Sequence, residues 1–473
     1  MSNQLNNFPR TENVIQFPLP KISDFAPAQP KQVALSPTPV SNALEAAGKV
    51  LDDLSSYRCE FDYTVYKDLE RRYKDRPIRG GIVFSKPFKL VNAHHTCQQC
   101  LYAFEIDTYG RGCVHECAYC YAKAQLTVHG YWNNPIPVPI DINEVRKTFY
   151  TVFETDKRHK LREILLRKTP LRIGSMTDSF MWSDKKYGVT KELLKLLQYY
   201  NYPNIIFTRS DLVAHDDYLN VMSPQLTSVQ MSISSVNDEM NRAIEPGAPS
   251  AKRRLQALKK LGAHGFWTTV RINPMFPIFP DGYFTDKTFT WDGEVPKFEY
   301  TSFDMIDAIA DANVPAVLAG FVRFSSFAIN NIKKATGIDL RVFYRKDQVY
   351  KSRRDWHYSD REIRHYYEQF YLRSKKRGIQ FTTCYIGNGE SHFWKDQDLW
   401  SNKRDCCNVK DRIAAFKTDS RDIPFVDRIK ISNQKSAAPV SAESLHSPLG
   451  EQIVVPLTRV RNEDPKVQAD LTV

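Results

Sequence analysis

Residues 109–122 read Y-G-R-G-C-V-H-E-C-A-Y-C-Y-A, and the cysteine spacing in that stretch sets the terms for the chain around it. Cys113, Cys117 and Cys120 stand as C-x3-C-x2-C, with Tyr119 directly before the last and Tyr121 directly after it. Three thiolates in one short loop can hold three irons of a 4Fe–4S cluster and leave the fourth iron open to a substrate or cofactor. A closed structural zinc site takes four ligands, and cluster ferredoxins spend four cysteines on a cluster. The same residues also fit a zinc loop completed by His115 or Cys100, or a set of disulfides.

Composition narrows the setting. A chain of 473 residues with 42% hydrophobic and 12% aromatic residues is globular and long enough for one catalytic domain with extensions. No apolar run approaches the length that spans a bilayer, and the first twenty residues lack the charged-then-apolar pattern of a signal peptide. The expectation is a cytoplasmic protein without membrane attachment, whose nine cysteines are metal ligands or reactive thiols rather than disulfides. A net charge of +12 and a pI near 9.1 fit a polyanionic partner, nucleic acid first. The alternative is an enzyme that is incidentally basic.

Along the chain, residues 1–57 are expected to be a disordered or loosely docked arm, rich in Pro, Asn, Gln and Ser over 1–43, with short helical spacing at Leu44–Leu54. Lys67–Arg79 is a dense basic run, readable as a basic arm or a solvated helix. His94, His95, Cys97 and Cys100 supply half a metal site, whose other half could come from Cys384, Cys406 or Cys407; a second metal site is therefore a candidate, its metal unassigned. The pattern then alternates. Strands are expected at Phe104–Thr108, Leu171–Ser175, Asn204–Thr208, Ser228–Ser234, Phe266–Ile272, Ala316–Val322 and Gly378–Cys384. Helices are expected at Val189–Tyr200, Ser250–Leu261, with Arg253 and Arg254 on its wet face, and Phe303–Ala312. Strand–helix alternation predicts an α/β fold with a parallel sheet partly closed into a barrel, its functional residues at the carboxyl ends of the strands. The core barrel is assigned to 58–340, a basic and aromatic segment to 341–408, and a tail to 409–473. Within 344–358, basic residues and aromatics suggest nucleic-acid contact; the tyrosines of the following helix suit packing on the barrel.

The cysteine spacing with its aromatic resembles the radical S-adenosylmethionine (SAM) superfamily. The resemblance extends to the spore photoproduct lyase and DNA repair photolyase-like branch through I-G-S-M-T-D-S-F, T-R-S-D-L-V, S-I-S-S and E-P-G-A-P-S-A-K-R-R-L, in order over residues 104–277. It implies a partial (β/α)6 TIM-type barrel with N- and C-terminal extensions, a 4Fe–4S cluster on Cys113, Cys117 and Cys120, and SAM on the open iron. An electron, from a donor such as flavodoxin or ferredoxin, would break SAM to a 5′-deoxyadenosyl radical. It further implies that Arg209 faces the SAM carboxylate, that Ser234 contacts SAM, that Ser175 and Asp178 lie beside it, and that Tyr119 and Tyr121 take part in returning the hydrogen atom.

One departure bears on the reaction. Photoproduct lyases carry a cysteine hydrogen donor where this chain has Ser175-Met176, and no cysteine occurs between Cys120 and Cys384. Either Cys384, Cys406 or Cys407 reaches the site, with Cys384 the candidate catalytic thiol, or the reaction is a radical isomerisation that needs none. The expectation is modification or rearrangement of a thymine-derived base in DNA. The rivals are photoproduct repair, a radical SAM enzyme on RNA, peptide or a small molecule, and a non-catalytic metal-containing DNA-binding protein.

Overall fold

The computed structural model describes residues 89–90, 102, 104–128, 132, 137–166, 168–345, 349–350, 355–384, 396–402 and 405–410. The arm 1–57, the basic run Lys67–Arg79, the group His94, His95, Cys97 and Cys100, and the tail from 411 onward lie outside the described residues.

Short runs of β-branched, aromatic and aliphatic residues form the strands: β1 (Lys89–Leu90), β2 (Phe104–Ile106), β3 (Leu171–Ile173), β4 (Asn204–Thr208), β5 (Thr227–Ser232), β6 (Trp267–Met275), β7 (Ala316–Phe321) and β8 (Gln380–Thr383). Their order in the sheet is their order in the chain. β1 pairs antiparallel with β2, and every other pairing is parallel. Parallel strands in sequential order need a crossover between each pair, which winds the sheet in the manner of a TIM barrel. β1 and β8 are left as edges, so the barrel is partial. It has seven parallel strands, the seventh being the strand expected over 378–384.

The crossovers include helices with one apolar stripe each. These are α1 (Tyr121–Val128), α2 (Ile142–Phe153), α3 (Val189–Tyr199), α4 (Asp238–Ile244), α5 (Ala251–Ala263), α6 (Met305–Asp311), α7 (Ser326–Thr336) and α8 (Asp360–Lys376). Asp141, Ser250 and Ser325 cap α2, α5 and α7 by accepting backbone N–H bonds from the first turn. α2 buries Ile142, Val145, Phe149 and Val152, and α3 buries Leu193, Leu194, Leu196 and Leu197. α8 turns Tyr366, Tyr367 and Phe370 onto the sheet. The Tyr366 hydroxyl accepts from the Ile278 and Phe279 amides, and the Tyr367 hydroxyl from the Phe321 amide. Tyr344 and Tyr358, expected to face nucleic acid, are instead buried against each other and Phe321 or Phe324. Their rings cover too much apolar area to leave in water when a barrel wall lies beside them. Among the described residues no helix is long and apolar enough to cross a membrane.

The barrel interior carries a file of polar side chains. Arg172 on β3 donates to Glu105 on β2 at 2.6 Å. Arg271 on β6 donates to Gln230 on β5 at 2.7 Å, and its guanidinium lies 4.4 Å from the centre of the Phe207 ring. Gln230 in turn donates to the carbonyl of Cys407 at 2.9 Å. The turn 405–410 therefore enters the interior. Thr382 on β8 bonds the Cys406 carbonyl at 2.6 Å, and Tyr102, just ahead of β2, donates to Asp405 at 2.9 Å. One short segment thus ties together the two sides that the open sheet leaves apart. Replacing Tyr102 with Phe removes a buried donor from Asp405, and urea denaturation should show a loss of about 1–3 kcal/mol; an unchanged midpoint would mean that the turn does not brace the barrel.

Candidate active site at the cysteine loop

The loop 109–122 leaves β2 and returns as α1, at the carboxyl ends of the strands. Arg111 and Glu116 take left-handed backbone (φ 58° and 49°), which folds the loop tightly over the rim. Three sets of bonds fasten it. The Val114 amide lies 3.2 Å from the Met181 sulfur, and Thr177 donates its hydroxyl to the Tyr109 carbonyl. The two ring nitrogens of His115 lie 3.0 Å from the Gly247 carbonyl and 3.0 Å from the Asp178 carboxylate. The Ala118 amide donates to Ile244 at 2.8 Å, and the Gly247 amide to His115 at 3.1 Å. A Cβ on Gly247 would overlap the Val114 carbonyl, so this contact needs glycine. Gly174, after β3, has φ +84° and sits under the Phe207 carbonyl for the same reason.

All three cysteines are free thiols. Burial pushes Cys113 and Cys120 up, and it raises Cys117 to about 12 although the Arg209 guanidinium works the other way. A bound cation reverses this preference, because a coordinating thiol is deprotonated outright. Among the described residues no group of three or more His, Cys, Asp or Glu side chains converges on a single-ion site. His115, the fourth ligand of the zinc reading, is engaged by Gly247 and Asp178; Cys100 lies outside the described residues.

Arg209, at the end of β4, reaches the loop directly. Its Nη1 lies 3.5 Å from the Cys117 sulfur and 2.9 Å from Glu245, and it donates to the Tyr119 hydroxyl. Tyr119 donates its own hydroxyl hydrogen bond to Glu245, and Arg254 closes the network on the other Glu245 oxygen at 2.5 Å. Burial would raise the Glu245 carboxyl, but the Arg254 and Arg209 guanidiniums and the Tyr119 hydroxyl hold it down at about 2. Asp178 accepts from the Arg209 and Phe180 amides (2.7 and 2.8 Å) and from Thr208, so it holds the β4 turn against the loop. Tyr121 is 56% exposed and donates to the Ser175 carbonyl at 2.8 Å. The hydroxyls of Ser175 and Ser234, beyond β3 and β5, are buried and have no partner among the described residues.

The structure thus gathers Cys117, Tyr119 and Arg209 into one network and ties Tyr121 to Ser175. Asp178 is joined to the loop through His115, and Ser234 stands at a neighbouring strand end. Cys384 stands apart, beyond β8 and in the company of Arg271 and Cys406. Glu245 and Arg254 went unrecognised as site residues. Arg254, expected on the wet face of α5, is 1% exposed. It donates to Pro249, Ser232 and Glu245. The signal was its helical register with Ala251, Leu258 and Leu261, the stripe that α5 buries.

These residues fit the groups that the loop chemistry suggests. The cysteine loop offers three thiols and no fourth. The Ser175 and Ser234 hydroxyls, beyond β3 and β5 on either side of β4, have no partner among the described residues and can take a polar group. A guanidinium beside a candidate cluster ligand suits a carboxylate. Residues 108–286 match the Radical SAM superfamily. An uncharacterized protein of Mycobacterium tuberculosis is 28% identical over 173 residues, which cover 36% of this chain and 49% of that protein. An uncharacterized protein of Methanocaldococcus jannaschii is 25% identical over 169 residues, covering 35% and 58%. The chain therefore spans about half the length of the curated relatives it matches. Among solved structures, spore photoproduct lyase complexed with dinucleoside spore photoproduct is similar at a TM-score of 0.43 and 16% identity, over 64% of this chain and 81% of that one.

The rim of the barrel leans on the buried carboxylate of Glu245. Glu245→Gln leaves two guanidiniums short of their counter-charge, at a cost of about 3–5 kcal/mol near neutral pH. Because the folded carboxyl titrates at about 2, below its ordinary 4.5, this stabilisation is complete above 4.5 and is lost as pH falls towards 2. Urea denaturation of both proteins from pH 7 downward should show a stability gap that narrows only below about 4.5. A gap that widens towards acid would contradict the assignment.

Proposed function

We propose that the protein is a radical SAM enzyme that acts on a thymine-derived base in DNA, modifying or rearranging it. The observation that carries the radical part is the meeting of a three-thiol loop, Arg209 and the unpartnered hydroxyls of Ser175 and Ser234 at one end of the barrel. In this reading Cys113, Cys117 and Cys120 hold a 4Fe–4S cluster, and Arg209, Ser175 and Ser234 bind SAM. When bound, these groups supply a 5′-deoxyadenosyl radical that removes a hydrogen atom from the substrate. Asp178 and Glu245 act one step back: the first fixes the Arg209 backbone, the second its guanidinium. Tyr119 and Tyr121 stand as candidate participants in hydrogen return.

The DNA part rests on the run of lyase-like motifs over 104–277 and on the +12 charge. A base in a duplex must be flipped out to enter such a barrel. Phosphate contacts would make binding weaken steeply as salt rises. A second reading, repair of a thymine photoproduct, draws support from Cys384, since its sulfur is within hydrogen-bonding reach of Arg271 in the interior and a thiol there could quench a carbon radical.

Anaerobic reconstitution is the test. The protein should take up about four irons and, with dithionite, cleave SAM to 5′-deoxyadenosine, and Cys117→Ala should abolish both. Absence of 5′-deoxyadenosine with all three thiols intact would sink the radical reading. Nucleoside mass spectrometry of DNA made with and without the gene then separates the two reactions. A changed non-canonical nucleoside supports modification, whereas unchanged nucleosides with loss of ultraviolet dimers in treated DNA support repair.

A further inference from the structure

Three more cysteines meet at the far edge of the sheet. Cys384 follows β8, and Cys406 and Cys407 lie in the interior turn; all three are free thiols. Alternation along a strand brings Thr382 and Cys384 to one face, and the Cys384 amide continues the ladder to Ala319 at 2.7 Å. The 2.6 Å bond from Thr382 to the Cys406 carbonyl holds the turn against that face. There the Cys406 and Cys384 thiols are neighbours. Arg271 reaches the Cys384 sulfur from β6, and Arg172 adds positive charge from β3. Cys384 is half-buried, whereas Cys406 and Cys407 are each 3% exposed.

A buried thiol is ordinarily protonated and inert, and a reactive one sits partly exposed in an electropositive setting. Cys384 has that setting: it is the more exposed of the pair, and the neighbouring Cys406 thiol and the two guanidiniums draw its own thiol below the ordinary range, against the effect of burial. We propose that Cys384 and Cys406 form a reactive dithiol that exchanges with a small disulfide, with Cys384 the attacking thiolate and Cys406 the resolving thiol. The Cys384 sulfur attacks one sulfur of the small disulfide, forms a mixed disulfide and expels a thiolate. Cys406 gives its proton to that leaving thiolate and displaces the second half. The protein loses two hydrogens and gains one S–S bond, and the small disulfide is reduced to two thiols. The closed bond joins the end of β8 to the turn that fills the barrel. None of this depends on the cluster loop or on radical chemistry.

The test uses the full chain under nitrogen at pH 7, with oxidised glutathione as the probe and unreduced peptide mapping as the readout. A Cys384–Cys406 disulfide is expected. Cys406→Ser should instead trap glutathione on Cys384, and Cys407→Ser should leave the exchange unchanged. In the unoxidised wild-type protein, iodoacetamide should modify Cys384 about tenfold faster than Cys407. This last measurement needs no variant, so it stands even if a substitution misfolds. Equal labelling of Cys384 and Cys407, a disulfide between Cys406 and Cys407, or a folded Cys406→Ser protein without glutathione on Cys384 would each overturn the proposal.

Discussion

A single buried carboxylate holds the rim of this barrel in order. Glu245 sits between Arg209, Arg254 and Tyr119 with no access to water. Each partner comes from a different part of the chain: the end of β4, the first turn of α5 and the cysteine loop. Alone, any of these charges would be costly to bury, and together they satisfy one another. The consequence is geometric. Arg209 is fixed 3.5 Å from the Cys117 sulfur, and Tyr119 is fixed beside it. The same turn supplies Gly247 and Ile244, whose backbone bonds seat the loop. Loop position and guanidinium position are therefore set by one interaction.

Asp178 does similar work from the opposite side. It receives the amide of Arg209 and faces His115 of the loop, so the β4 turn, the β3 turn and the loop meet on one carboxylate. Among the described residues the Ser175 and Ser234 hydroxyls, beyond β3 and β5, are buried at the rim without a partner. Below them the interior is polar rather than oily: Glu105, Arg172, Gln230 and Arg271 face inward, and the turn 405–410 completes the wall that an open sheet lacks. A polar ligand entering from the rim would meet guanidiniums and a thiol, not a closed hydrocarbon core.

Much of this was legible in the sequence. All seven parallel strands were readable as short apolar runs between helical patterns, because strand burial leaves a local hydrophobic signature. The cysteine loop was readable because its spacing is local too; Arg209, Ser175 and Ser234 were singled out only through the lyase-like motifs, and each sits one or two residues beyond a strand. Other features were not. Arg254 looked like a surface residue beside Arg253, since the partners that compensate for its burial, Glu245, Pro249 and Ser232, meet it only in the fold. Tyr344 and Tyr358 looked like a stacking surface, since a ring beside basic residues reads the same whether it meets a base or the core.

The sequence by itself determined the order of the parallel strands, some of the helices between them, and the three-thiol loop. All are encoded by neighbours in the chain, through the pleat, the helical repeat and cysteine spacing. Only the tertiary structure decided which charges face each other: Glu245 with Arg209 and Arg254, Asp178 with His115, Cys384 with Cys406 and Arg271. Those pairings join residues far apart in the chain, and what selects them is the cost of leaving a charge or a polar group unpaired away from water. That cost exists only once the barrel has closed around them.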